Sequence, residues 1–188
     1  YGNWVYDATR HVCGYFNGTT TDARCQCPPG ITKCTFGMWV KINFLNSYRT
    51  CLVDIYGTRA PNTTERIATA WVSADGSVSF QTQDFTTGSA QQHTLTTAAG
   101  LISAGTWYHI ICYHSGTTKK IYINGTSVAS ATTSSTLGWY SATPEGTLHS
   151  YYGKKIRLGA LGRNLDWTLI GYMQGFRFTQ DLTVDTAD

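Results

Sequence analysis

The chain has 188 residues, a net charge of +3 and 13% charged residues, against about 25% in an ordinary soluble domain. Hydrophobic residues at 41% and aromatics at 13% exclude a disordered polymer. The cationic pairs Lys119–Lys120 and Lys154–Lys155 are scattered and form no basic stripe, which excludes a protein that tracks phosphates along a nucleic acid. No apolar run approaches the roughly 20 residues that span a bilayer. The surface is therefore expected to consist of Thr, Ser, Asn, Gln and Tyr, a composition suited to extracellular contact with carbohydrate.

The chain starts at Tyr1, as a processed mature protein or an excised domain would. Its first stretch, YGNWVYDATRH, reads as a short arm. Trp4 and Tyr6 would anchor that arm to a neighbour, because such side chains are costly to leave exposed at a free end. Next comes CGYFNGTTTDARCQCPPGITKC, which holds Cys13, Cys25, Cys27 and Cys34; Cys51 and Cys112 follow. Six cysteines predict a disulfide framework and an oxidising compartment. Cys25 and Cys27 are too close to bridge each other comfortably, so each would reach a different partner. A zinc knot fits less well, since one residue between Cys25 and Cys27 is shorter than the usual two to four. Buried thiols are the third reading. The sequons at Asn17, Asn62 and Asn124 are candidate glycosylation sites of the same compartment, although Asn-Gly at 17 and 124 serves equally as a tight turn.

No segment has the spacing of a long helix, because Gly, Thr, Val, Ile and Tyr crowd nearly every window. Turn signals recur instead: Asn17-Gly18, Pro28-Pro29-Gly30, Asn46-Ser47, Asp75-Gly76, Gly88, Gly100, Gly116, Asn124-Gly125, Gly146, Gly153 and Gly171. Short alternating runs lie between them. In CTFGMWVKINF, Phe36, Met38, Val40 and Ile42 share one face, and Gly37, Trp39 and Lys41 the other. RIATAWV and SADGSVSF form a hairpin that turns at Asp75-Gly76. In WYHIICYH, Tyr108, Ile110 and Cys112 oppose Trp107, His109, Ile111 and Tyr113. In KIYINGT, Ile121 and Ile123 point inward and Tyr122 outward. KIRLGAL and GYMQGFRFTQDL give two further strands, and TVDTAD a C-terminal arm. The pattern predicts one all-β domain over 1–188, a two-sheet antiparallel jelly-roll sandwich.

Several of these segments together resemble the laminin-G-like, concanavalin-A-like sandwich family. They are Gly-Thr-Trp-Tyr-His-Ile at 105–110, Tyr-Ile-Asn-Gly at 122–125, IRLGALG, GYMQGFRFTQDLT, YFNGT and CTFGMWVKI. The resemblance runs from about Tyr15 to Leu182 in the family's order and implies the jelly roll, not one activity. Asn17, Asn124 and Gln174 stand where the family carries acidic residues, which weakens any calcium site. Asp54, Asp75 and Asp166 remain as acidic candidates, each of which also reads as a cap or turn former. No metal or other cofactor is expected, with calcium left open.

A glycosidase needs two carboxylates on rigid strands. The two glutamates, Glu65 in PNTTER and Glu145 in TPEG, look loop-borne, and Asp54 is the nearest substitute. His109 and His114 could serve a lyase, but His109 reads as a strand residue packed on its neighbour. The expected function is a secreted or surface-displayed, non-catalytic binding module for carbohydrate or a glycosylated surface. Its ligand site is expected on the long stretch 138–167, where Trp139, Tyr140, Tyr151, Tyr152 and Trp167 supply aromatic contact and Arg163, Asn164 and Asp166 supply hydrogen bonds. The alternative is a self-assembling viral, phage or cell-surface coat or filament subunit, and a polysaccharide-active enzyme is third.

Overall fold

Alternation of period two decides the architecture. In the computed structural model, residues 3–7, 11–18, 23–26, 33–60, 63–84, 91–133, 155–161 and 167–179 are described, and every regular element among them is a strand. In chain order these are β1 (Asn3–Asp7), β2 (His11–Asn17), β3 (Ala23–Gln26), β4 (Cys34–Ile42), β5 (Arg49–Ala60), β6 (Thr63–Ser73), β7 (Val78–Asp84), β8 (Gln91–Thr96), β9 (Trp107–Ser115), β10 (Thr118–Ile123), β11 (Thr126–Thr132), β12 (Lys155–Leu158) and β13 (Ile170–Thr179). They form two antiparallel sheets. A seven-stranded sheet runs β1-β2-β13-β4-β9-β10-β11, and a six-stranded sheet runs β3-β12-β5-β6-β7-β8.

β4 alternates buried and half-buried along its whole length. Phe36, Met38, Val40 and Ile42 enter the core beside Ile110 and Cys112 of β9 and Ile121 and Ile123 of β10. The opposing sheet contributes Val53, Ile55, Ala68, Ala70, Val72, Val78, Phe80 and Ile156. Phe36 and Phe80 meet edge to face across the sandwich, ring centres 5.4 Å apart at 89°. A buried side chain of this size stabilises by roughly 1.5–3 kcal/mol, so these ranks fix strand register. The hairpin turns fall where their residues demand. Asn124 and Gly125 both take positive φ, 51° and 81°, as a two-residue type I′ turn requires. At the β6–β7 turn a side chain on Gly76 would run into the carbonyl oxygen of Ile102.

Four expectations differ from what is observed. Asn3–Asp7 is not a free arm but β1, paired antiparallel with β2. Gly171 marks no turn; it lies within β13, where a Cβ would collide with the Lys41 carbonyl of β4. Glu65 lies within β6 and not in a loop. The disulfide framework does not extend to Cys34, Cys51 and Cys112, which are buried thiols. Cys34 and Cys112 are inward positions of β4 and β9 and Cys51 lies within β5, so the sheets bury these cysteines as small apolar residues.

Charge also enters the interior. Lys119 is 0% exposed. Its ammonium donates to the carbonyls of Phe80 (2.9 Å) and His93 (2.6 Å) and to Thr82 Oγ1 (3.1 Å), tying β10 to β7 and β8. It also lies 4.6 Å from the Phe80 ring centre. Burial lowers its pKa to about 8 despite the thiols of Cys112 and Cys34 beside it.

Candidate functional site

The same alternation that fills the core decorates the outer side of the seven-stranded sheet. Trp39 and Lys41 of β4, Trp107, His109 and Ile111 of β9, Tyr122 of β10, Tyr172 of β13 and Tyr15 of β2 all occupy outward positions. Register brings them side by side: Trp39 opposes His109 and Lys41 opposes Trp107. Tyr172 opposes both Lys41 and Tyr15, and Ile111 opposes Tyr122. Trp39 stacks on His109, ring centres 5.0 Å apart at 23°. Tyr172 lies 5.2 Å from Tyr15 and 6.3 Å from Trp107. The Lys41 ammonium sits over both the Tyr172 ring (4.6 Å) and the Trp107 ring (5.4 Å), a favourable placement for a cation against aromatic quadrupoles.

A cavity of about 360 Å³ opens on this face, lined by Trp39, Trp107, His109, Ile111, Tyr122, Asn124 and Gly125. Ligand pockets fall in the range of roughly 300–1,000 Å³. Trp39 and Trp107 are half-buried and Tyr122 is buried. The β10–β11 turn supplies a polar rim. Asn124 Oδ1 accepts the His109 backbone N–H at 2.8 Å, and the Asn124 N–H donates to the His109 carbonyl at 2.8 Å. Asn124 is exposed and lines the cavity, and its Oδ1 is the atom engaged by the His109 N–H. The Trp107 Nε1 and Gln174 Oε1 are buried on this face with no protein partner among the described residues, an uncommon state for polar atoms.

Of the ligand residues expected from sequence, Trp139, Tyr140, Tyr151, Tyr152, Arg163, Asn164 and Asp166 lie outside the described residues. Trp167 is described and sits on the other sheet, its ring centre 5.8 Å from Trp71 and 6.4 Å from Tyr48. The hairpin at 105–130 works on both sides: inner residues such as Ile110 and Ile121 build the core, and outer ones such as Trp107 and Tyr122 line the cavity. The alternation already placed Trp107, His109 and Tyr122 outward. What it did not disclose was that β4, β9 and β10 would be neighbours, which requires long-range pairing.

Two of the acidic candidates, Asp54 and Asp75, are engaged within the fold. Asp54 is 0% exposed; it accepts Thr69 Oγ1 at 2.8 Å, has Arg66 Nε at 3.8 Å and stands in register with Arg157. Asp75 accepts both the N–H and the hydroxyl of Ser77 within its turn, which holds its carboxyl below the ordinary value. Asp166 lies outside the described residues. Among the described residues no group of three His, Cys, Asp or Glu could hold a metal, and no helix is long and apolar enough to cross a membrane. Asn17 and Asn124 are exposed, whereas Asn62 is outside the described residues.

No curated protein sequence matches the chain. Solved structures do. A SAP-like heptameric pentraxin from Limulus polyphemus matches with a TM-score of 0.59 and 14% identity, over 89% of this chain and 75% of that one. The CBM40 of a Ruminococcus gnavus IT-sialidase, bound to α2,3-sialyllactose, matches at 0.62 and 12%, over 83% and 80%. Domain 4 of an extracellular arabinanase from Geobacillus stearothermophilus, in complex with arabinotriose, matches at 0.62 and 15%, over 95% and 74%. At these identities the likeness establishes the two-sheet fold. Residues 17–155 match the sequence profile described as the Concanavalin A-like lectin/glucanases superfamily. The chain belongs to that superfamily.

Proposed function

We propose that this protein is a non-catalytic carbohydrate-binding module, working outside the cell, whose ligand lies on the outer face of the seven-stranded sheet. The observation that carries the reading is the cavity between Trp39, Trp107 and Tyr122. A sugar ring presents apolar C–H faces that stack on indole and phenol, while its hydroxyls require a few directed donors and acceptors. Here the stacking surfaces are Trp107 and Trp39, and the directed groups are the Asn124 amide and the His109 ring. Two of the structural relatives hold oligosaccharides, which supports the ligand class without identifying the sugar.

The chemistry favours binding over turnover. Among the described residues no pair of carboxylates faces the cavity, and Asp54 is sequestered in the opposite sheet beside Arg66. Screening on a glycan array and titrating the hits calorimetrically tests the reading. Trp107→Ala should weaken the best hit about tenfold or more, the equivalent of about 1.4 kcal/mol, with thermal melting little changed. An array without hits, or a hit indifferent to Trp107→Ala and Tyr122→Ala alike, would overturn it.

A further inference from the structure

A second aromatic cluster lies at one end of the six-stranded sheet, away from the cavity described above. Arg49 opens β5, directly after the bend that carries Tyr48. Its guanidinium carbon lies 4.6 Å from the ring centres of both Trp71 and Trp167 and 5.9 Å from that of Tyr48. Three rings therefore lie beside one cation. Trp71 is fixed by β6, where it stands opposite Cys51. Trp167 is fixed differently: its backbone adopts φ 52°, a costly conformation for a bulky residue. The Cys51 N–H donates to the Trp167 carbonyl at 2.6 Å, and Asn46 Nδ2 donates to the next carbonyl, Thr168, at 3.0 Å. Two hydrogen bonds thus hold a strained residue so that its indole meets the guanidinium.

The two indoles approach Arg49 from neighbouring directions, their centres 5.8 Å apart, and do not enclose it. A guanidinium carries five in-plane N–H donors that suit a carboxylate, sulfate or phosphate. Arg66 and Arg157 on the same sheet stand beside Asp54. Arg49 has no acidic or hydrogen-bonded partner among the described residues, and its nitrogens are not buried. Next to it lies Tyr48, 72% exposed. A pre-oriented cation with open donors, flanked by an exposed ring, is built for a ligand that has an anionic group on a ring.

We infer that Arg49 and Tyr48 form a second binding site, for an acidic saccharide. The carboxylate of a uronate or the sulfate ester of a sugar accepts from the Arg49 edge, and the sugar ring covers Tyr48. The site is independent of the cavity on the seven-stranded sheet.

The test uses methyl glucuronide, methyl glucose 6-sulfate and neutral methyl glucoside as probes, read by the indole N–H resonances of Trp71 and Trp167 during titration. One or both charged sugars should shift these two resonances, and the neutral sugar should not. The charged arm that binds identifies the group recognised. Arg49→Gln should weaken binding about tenfold or more, and Arg49→Lys should also weaken it, because the charge survives but the planar fork does not. Arg49→Gln removes a packed cation and so also perturbs the fold; Tyr48→Ala, at an exposed position, provides the second variant and should weaken binding several-fold without affecting melting. Equal response to charged and neutral sugars, no response to any of the three, or a response unchanged in Arg49→Gln and Tyr48→Ala would overturn the inference.

Discussion

At the scale of single residues, environment overrides residue type. Lys119 is a cation, yet the sandwich encloses it. It persists because three oxygens accept all three ammonium protons, which offsets much of the desolvation cost. Its pKa of about 8 in the folded chain is lower than the ordinary 10.5. The folded state therefore holds this proton less tightly than the unfolded state. The penalty is fully present below pH 8 and fades as the pH rises towards 10.5. Comparing wild type with Lys119→Met by chemical denaturation, the difference should move in favour of wild type by up to ~3 kcal/mol between pH 7 and 10.5. A pH-independent difference would contradict this. The thiols give a second residue-scale prediction. Burial pushes Cys51 and Cys112 well above their ordinary values, and a thiol that stays protonated is a poor nucleophile. In native protein both should resist an aromatic disulfide reagent for hours and react within minutes in denaturant, with the modified positions identified by peptide mass.

At the scale of elements, what the sequence disclosed and what it hid have a common cause. The phase of β4, β9 and β10 was legible because an alternating strand displays its two faces in its own letters: Phe36, Met38 and Val40 against Trp39 and Lys41, Ile110 and Cys112 against Trp107 and His109. The Asn124-Gly125 and Asp75-Gly76 turns were legible because positive φ and side-chain capping select those residues. The neighbours of each strand were not legible. β13 lies between β2 and β4, and Tyr15, Tyr172 and Lys41 become adjacent only through that insertion. The aromatics of 138–167 cluster along the chain and are visible in the sequence, whereas clustering across strands is not. Asn124 shows how turn and site are coupled. Asn124→Ala removes the acceptor for the His109 N–H and places a side chain that tolerates positive φ poorly at φ 51°. The expected cost is about 1–2 kcal/mol in urea denaturation, with saccharide affinity falling as well because the cavity rim moves.

At the scale of the molecule, one sandwich carries aromatic and cationic clusters on both outer faces. Its interior is apolar apart from enclosed groups such as Lys119, and the stability of the fold rests on that interior. Phe36→Ala should destabilise by about 3–5 kcal/mol, the range for deleting a buried aromatic, measured as a shift in the urea midpoint. The outer faces contribute less to stability and are therefore free to serve recognition: Trp39 and Trp107 on the seven-stranded sheet, Arg49 among Trp71, Trp167 and Tyr48 on the other. The chain has six tryptophans, and they sample the competing locations, since Trp139 marks the stretch favoured by sequence alone. A single spectrum can therefore arbitrate. With the six indole N–H resonances assigned by single Trp→Phe variants, titration with the best neutral oligosaccharide from the array should shift Trp39 and Trp107 and leave Trp71, Trp139 and Trp167 in place. A ligand that shifts Trp139 while Trp39 and Trp107 stay still would contradict the account.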